Sequence, residues 1–206
     1  ASGAEKMVKG FGPLMPGFRH LPWGDMEALR SAMSDRTAAV MLEPVQGEGG
    51  IRPLPDADLR LIRELCDQTG ALLVLDEVQS GMGRTGKLFA HEYARITPDI
   101  MMVAKGIGGG FPLGALLATE AAASGMVAGT HGSTYGGNPL ACAVGVRVTE
   151  IIARPEFLAE VNRKAGLFRQ KLEALVAAHP EIFEAVRGQG LMLGLKCRLA
   201  PGDLVK

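Results

Sequence analysis

The chain has 206 residues, 22 Lys plus Arg against 22 Asp plus Glu, 47% apolar and 21% charged residues. This balance gives no electrostatic case for a nucleic-acid or anionic-membrane partner. No apolar run reaches the length of a membrane span, and the opening ASGAEKMVKG lacks the apolar centre of a signal peptide, so a cytoplasmic location is expected. Cys66, Cys142 and Cys197 lie far apart, with neither a CxxC pair nor metal spacing; buried, reduced thiols and no metal are expected.

In chain order, residues 1–24 hold Gly, Pro and scattered aromatics with little period and read as a loop packed on a neighbour. Met26, Leu29, Arg30 and Met33 fall at helical spacing, with Asp25 as a candidate N-cap. Ala38–Leu42 is a short apolar run closed by Glu43-Pro44 and predicts a buried strand, followed by a glycine-rich turn over 45–50. Residues 55–69 place Leu59, Ile62, Leu65 and Cys66 on one helical face, capped by Asp56 or Asp58 and stopped by Gly70. Ala71–Leu75 is a second strand, so strand, helix and strand predict a right-handed parallel unit.

A short helix over 88–94, strands over 100–104 and 113–118, and long helices over 139–154 and 156–178 follow. Two strands, 183–186 and 191–196, are expected to be joined by RGQG. The change of pattern near Pro155 predicts a boundary between a domain over 1–154 and the beginning of another over 155–206.

Chemistry concentrates between Leu72 and Gly110. Asp76 and Glu77 end one apolar run; Lys105 ends another and runs into GIGGG. If both runs are parallel strands, both ends arrive on the rim where open α/β sheets bind ligands. A lysine desolvated there becomes a nucleophilic amine; equally, the strand could end there with its ammonium in water. Asp76 could keep a pyridine nitrogen protonated, so that the ring accepts electrons from a substrate carbanion, or it could cap a turn. LLVLDE also looks like the acidic strand of an ATPase, but the required G-x-x-x-x-G-K-[ST] loop is absent from the sequence. The loop THGSTYGGNP, residues 130–139, offers hydroxyls and amides at a helix start, suited to a phosphate or to a plain turn and cap.

Taken together, EPVQGEGG (43–50), LDEVQSGMGRTG (75–86), PDI (98–100), AKGIGGGFPLGA (104–115) and HGSTYGGNPLA (131–141) resemble the class-III, fold-type I pyridoxal-phosphate aminotransferases over nearly the whole chain. The resemblance implies an α/β fold: part of a large domain with a mainly parallel sheet, plus the beginning of an α+β small domain. It implies pyridoxal 5'-phosphate held covalently by Lys105, with Asp76 on the pyridine nitrogen. Glu77, Val78 and Gln79 would belong to the cofactor site, Val78 on the ring face and Gln79 on the 3-oxygen. Thr134 would bind the phosphate across a homodimer interface, with Ser133 a substrate contact there. Glu48 would gate the two half reactions, and Glu43 would support the cofactor region.

The implied reaction is transamination of N-acetylornithine or a related ω-amino substrate with 2-oxoglutarate, in arginine biosynthesis. Ornithine, 4-aminobutyrate and succinylornithine aminotransferases, or an aminomutase, are the neighbouring possibilities. Members of this family are about twice as long. Their other phosphate loop, stacking aromatic and carboxylate-binding arginines have no counterpart in the sequence, so a truncated, inactive piece is also expected as a possibility.

Overall fold

The structure, a computed structural model, describes residue 3, residues 5–199 and residue 202. Its central sheet has four strands, β1 (Ala39–Leu42), β4 (Leu72–Asp76), β5 (Ile100–Val103) and β6 (Ala115–Ala118), in the order β1-β4-β5-β6. β1, β4 and β5 are parallel, with Ala39 opposite Leu72 and Asp76 opposite Met102, whereas β6 runs antiparallel to β5. The expected strand over 113–118 is therefore present, as the antiparallel member of a mainly parallel sheet. The Ala104–Gly114 connection is too short for the helical crossover that a parallel neighbour requires.

The helix α3 (Asp56–Thr69) supplies the crossover from β1 to β4. Its Leu59, Ile62, Leu65 and Cys66 are buried against Leu73 and Leu75 of β4, which alternate with half-buried neighbours as a strand covered on one face should. The predicted aspartate cap is not formed: Pro55 is the cap residue, with no side-chain bond, and Asp56 and Asp58 sit in the first turn. Burial at roughly 1.5–3 kcal/mol per large apolar side chain outweighs the ~1 kcal/mol a cap contributes. Gly70, at φ 73°, ends the helix as expected. Asp99, just before β5, accepts the Leu73 amide at 2.7 Å and the Arg63 guanidinium of α3 at 2.7 Å, tying helix to sheet.

Other differences from the sequence reading are local. Residues Glu5–Val8 form a short helix, α1, inside the stretch read as a loop, and Leu21 and Trp23 from that stretch pack on the core. The helix α2 spans Met26–Ala32, and Asp25 caps it by accepting the Ala28 amide at 2.8 Å. The 45–50 turn begins with a two-residue strand, β2 (Val45–Gln46), paired antiparallel with β3 (Arg52–Pro53). The helix expected over 88–94 is a single 3₁₀ turn, Ala90–Tyr93. Of the cysteines, Cys66 is buried but Cys142 is exposed and Cys197 intermediate; burial pushes the Cys66 thiol up to about 11.

The helices α4 (Pro139–Ile152) and α5 (Pro155–Ala178) precede the hairpin β7 (Phe183–Gln189) and β8 (Met192–Cys197). Arg187, Gly188 and Gln189 lie within β7, so only Gly190 and Leu191 make the turn. Two-residue hairpin turns demand positive φ, and Gly190 supplies 57°. Among the described residues no helix is long and apolar enough to cross a membrane.

Candidate active site

Register places Asp76 at the C-terminal end of β4 and Lys105 two residues past the end of the adjacent parallel strand β5. Beyond these ends lies a cavity of about 320 Å³, lined by Val78, Gln79, Gly81, Met82, Arg84, Lys105, Gly106 and Leu191–Leu193. This is the rim where α/β sheets hold ligands.

The backbone on its walls is tightly held. Lys105 and Met82 are both non-glycine residues with positive φ, 46° and 54°, a conformation costing roughly 1–2 kcal/mol for an L-residue. A Cβ added at Gly106 would lie 2.8 Å from the Met82 Cβ, so glycine lets these two segments meet. On the far side, a Cβ at Gly109 would lie 2.9 Å from Val148 of α4. The glycines after Lys105 thus serve close packing of α4 as well as the turn. Lys105 itself is exposed.

Asp76 is half-buried, and its Oδ1 accepts the Val78 amide at 2.9 Å. That bond fixes the carboxylate beside the strand end and aligns the Val78–Gln79 turn with it. The Gln79 carboxamide packs on Gly47, where any side chain would collide with it, and the Gly47 amide donates to Glu43 Oε2 at 2.9 Å. Glu43 therefore supports the turn that carries Glu48, and Glu48 is exposed.

Glu77, expected among the cofactor contacts, instead points into the protein. It is 1% exposed and does not line the cavity. Its Oε2 accepts Ser80 Oγ at 2.6 Å and the Ala90 amide at 2.9 Å. Its Oε1 accepts the His91 amide at 2.9 Å and lies 3.0 Å from His91 Nδ1. Burial pushes the Glu77 carboxyl up, but the bonds from His91, Ser80 and the two amides outweigh it and hold it below the usual carboxylate range. The alternation of a strand explains the split: adjacent residues 76 and 77 face opposite sides.

Ser133 and Thr134 are exposed and do not line the cavity. Ser133 Oγ accepts the Gly136 amide at 2.9 Å. At the end of that loop, Asn138 caps α4 by accepting the Ala141 amide at 2.9 Å. The structure thus brings together Lys105, Val78 and Gln79, with Asp76 on the same rim, and leaves Glu48, Ser133 and Thr134 at the surface.

Residues 1–202 match the family model for aminotransferase class-III. The chain belongs to the class-III aminotransferases. It is 71% identical over 206 residues to an acetylornithine aminotransferase of Rhodobacter capsulatus, covering 100% of this chain and 52% of that protein. Among solved structures it superposes on an ornithine aminotransferase from Toxoplasma gondii with a TM-score of 0.93 at 33% identity, over 100% of this chain and 49% of that one. It also superposes on the N-acetylornithine aminotransferase from Stenotrophomonas maltophilia with a TM-score of 0.77 at 45% identity, over 85% of this chain and 46% of that one. The chain spans about half the length of the curated relatives it matches.

The class-III cofactor is pyridoxal 5'-phosphate, and the donor set here fits it. The cavity offers an amine for its aldehyde and a carboxamide for its ring oxygen, and a carboxylate stands on the same rim for its ring nitrogen. Sequence reasoning missed Met82, Arg84 and Leu191–Leu193. Arg84 stood inside a quoted motif as a charge among glycines; Leu191, Met192 and Leu193 lie too far along the chain for spacing to connect them.

Proposed function

We propose that the protein carrying this chain transfers the amino group of N-acetylornithine, or a closely related ω-amino substrate, to 2-oxoglutarate in arginine biosynthesis. The observation that carries this reading is the cavity at the ends of β4 and β5, lined by Lys105, Val78 and Gln79, in a chain 71% identical to an acetylornithine aminotransferase. When bound, pyridoxal phosphate supplies an aldehyde carbon that takes up the amino group and a ring that accepts electrons.

Lys105 would hold the cofactor through its amine, and that amine would serve as general base and acid for the proton on the donor's amine-bearing carbon. Asp76 would keep a proton on the ring nitrogen, its orientation set by the bond from the Val78 amide. Val78 would pack on the ring face and Gln79 would donate to the 3-oxygen; both line the cavity. Glu77 acts one layer away, bracing the turn from below through Ser80 and His91. Thr134 binds the phosphate and Ser133 the substrate of the partner subunit in a homodimer; their exposure on one loop supports this reading. Glu48 gates access between half reactions. Residues 1–154 form part of a large cofactor-binding domain and 155–206 begin a small one, in a cytoplasmic enzyme.

The test is an absorbance spectrum of the chain after pyridoxal phosphate is added and the excess removed, repeated with Lys105→Ala. A retained visible band, lost in the variant, is the expected result. N-acetylornithine with 2-oxoglutarate, and ornithine in parallel, then read donor choice. A band that persists without Lys105 overturns the assignment. No band in either protein removes the enzyme claim from this polypeptide.

A further inference from the structure

We propose that Ile51 is a positioning residue for the cofactor site: seated in the β7–β8 hairpin, it holds the turn against which the Gln79 carboxamide packs; the inference rests on the transaminase reading above. Ile51 is β-branched and has a φ of 50°, a backbone conformation that is an outlier for such a residue. Glycine would adopt it freely. The isoleucine side chain has a seat that offsets the strain. A Cβ added at Gly188 of β7 would lie 2.8 Å from Ile51 Cγ2, and one added at Gly194 of β8 would lie 2.9 Å from Ile51 Cγ1. The two glycines thus leave a notch in the hairpin, and both γ carbons of Ile51 occupy it. Strained backbone persists where its surroundings over-determine it in this way.

From that seat the turn reaches the cavity. The Ile51 and Gly50 amides donate to the Gly47 carbonyl at 3.2 and 3.1 Å, closing the turn on Gly47. The Gly47 amide donates to Glu43 Oε2 at 2.9 Å, and Arg52 Nε, next along the chain from Ile51, donates to Gln46 Oε1 at 2.9 Å. Gly47 in turn packs on the Gln79 carboxamide, where a Cβ would collide with Oε1, Cδ and Nε2 alike. Among the described residues that half-buried carboxamide has no hydrogen-bond partner, so packing sets its place on the cavity wall. Leu191–Leu193, at the tip of the same hairpin, form another part of that wall. One side chain therefore joins the two parts, and the hairpin cannot move without carrying the seat of Gln79 with it. A carboxamide held in one place loses less freedom when it donates to a bound ring oxygen.

The test reads the Gln79 carboxamide directly, by NMR of the isotopically labelled chain without cofactor. Its side-chain NH₂ signals are assigned by their loss in Gln79→Ala, and circular dichroism establishes that each variant is folded. Ile51→Ala and Ile51→Gly both remove the γ carbons, the second with a residue suited to the positive φ; Ile51→Val keeps both carbons. The expected result is that Ile51→Ala and Ile51→Gly move the Gln79 signals toward those of an exposed carboxamide, and that Ile51→Val leaves them in place. With pyridoxal phosphate added, Ile51→Gly should weaken cofactor binding at least about threefold, and should add nothing in a chain already carrying Gln79→Ala, because the two act through one contact. Ile51→Val should bind as wild type does. The proposal is overturned if the Gln79 signals stay in place in folded Ile51→Gly, if Ile51→Val moves them as far, or if the losses in cofactor binding from Ile51→Gly and Gln79→Ala simply add. Absence of a visible band in the wild type speaks against the transaminase reading alone, and the Gln79 signals then decide whether Ile51 seats the carboxamide.

Discussion

Replacing Glu77 by Gln keeps the shape of a fully buried side chain and removes its charge. Each carboxylate oxygen faces two donors: Ser80 Oγ and the Ala90 amide on one side, the His91 amide and Nδ1 on the other. A carboxamide has one acceptor oxygen, so its NH₂ must face one of these pairs. Toward Ser80 the hydroxyl can turn and accept, but the Ala90 amide is left without a partner. Toward His91 the ring can change tautomer, but the His91 amide is stranded. Either way one buried backbone amide is orphaned, at about 1–3 kcal/mol, and the surviving bonds lose their charge assistance. The neutral side chain recovers part of this because it is cheaper to bury, so the net expectation is a loss of about 2 kcal/mol at pH 7. Urea unfolding followed by circular dichroism measures it. The linkage has a definite sign: Glu77 is held below its ordinary value, so its contribution is full above the unfolded pKa and is lost as pH falls from about 4 through the lowered value. The gap between wild type and Glu77→Gln should therefore close in acid. A gap below about 0.5 kcal/mol at pH 7, within the range of an ordinary surface substitution, would refute the claim that this network braces the turn.

Asp99→Asn should cost about 1–2 kcal/mol at neutral pH, because it weakens bonds to both the Leu73 amide and Arg63. Burial raises the Asp99 carboxyl, but those partners hold it low; its share of stability is again present above about pH 4 and lost below it, which acid titration of the variant against wild type would reveal. Gly190→Ala places a Cβ against the Thr85 backbone at a φ of 57° and should destabilise by at least about 2 kcal/mol, with faster exchange of the Leu191 amide as the local readout.

The parts of the fold set by local rules were legible in the sequence. The helical spacing of Leu59, Ile62, Leu65 and Cys66, with Gly70 behind it, marked α3, and the two apolar runs ending in Asp76 and Lys105 marked neighbouring parallel strands. The motifs singled out Lys105, Val78 and Gln79, which do share a cavity. What escaped depended on tertiary contact. The inward turn of Glu77 is decided by which face of β4 is covered, and its donors lie at 80, 90 and 91 on a turn with no regular period. Direction of β6 follows from a connection whose length was visible, although the strand's composition says nothing of it. RGQG reads as a turn by composition, yet hairpin register draws most of it into β7.

The wall formed by Leu191–Leu193 carries a consequence for the order of assembly. Leu191 meets Arg84 through a backbone bond across 107 positions of sequence, and Gly190 sits directly against Thr85. Contacts so distant along the chain form slowly, because the entropy of closing the loop precedes any gain from contact. During synthesis, β1, α3 and β4 emerge before the hairpin, and the cavity has no third wall until the hairpin turn is made. A ribosome-bound chain halted before residue 190 would therefore carry Asp76 and Lys105 beyond the ends of two neighbouring central strands and still lack the enclosure in which they are to work.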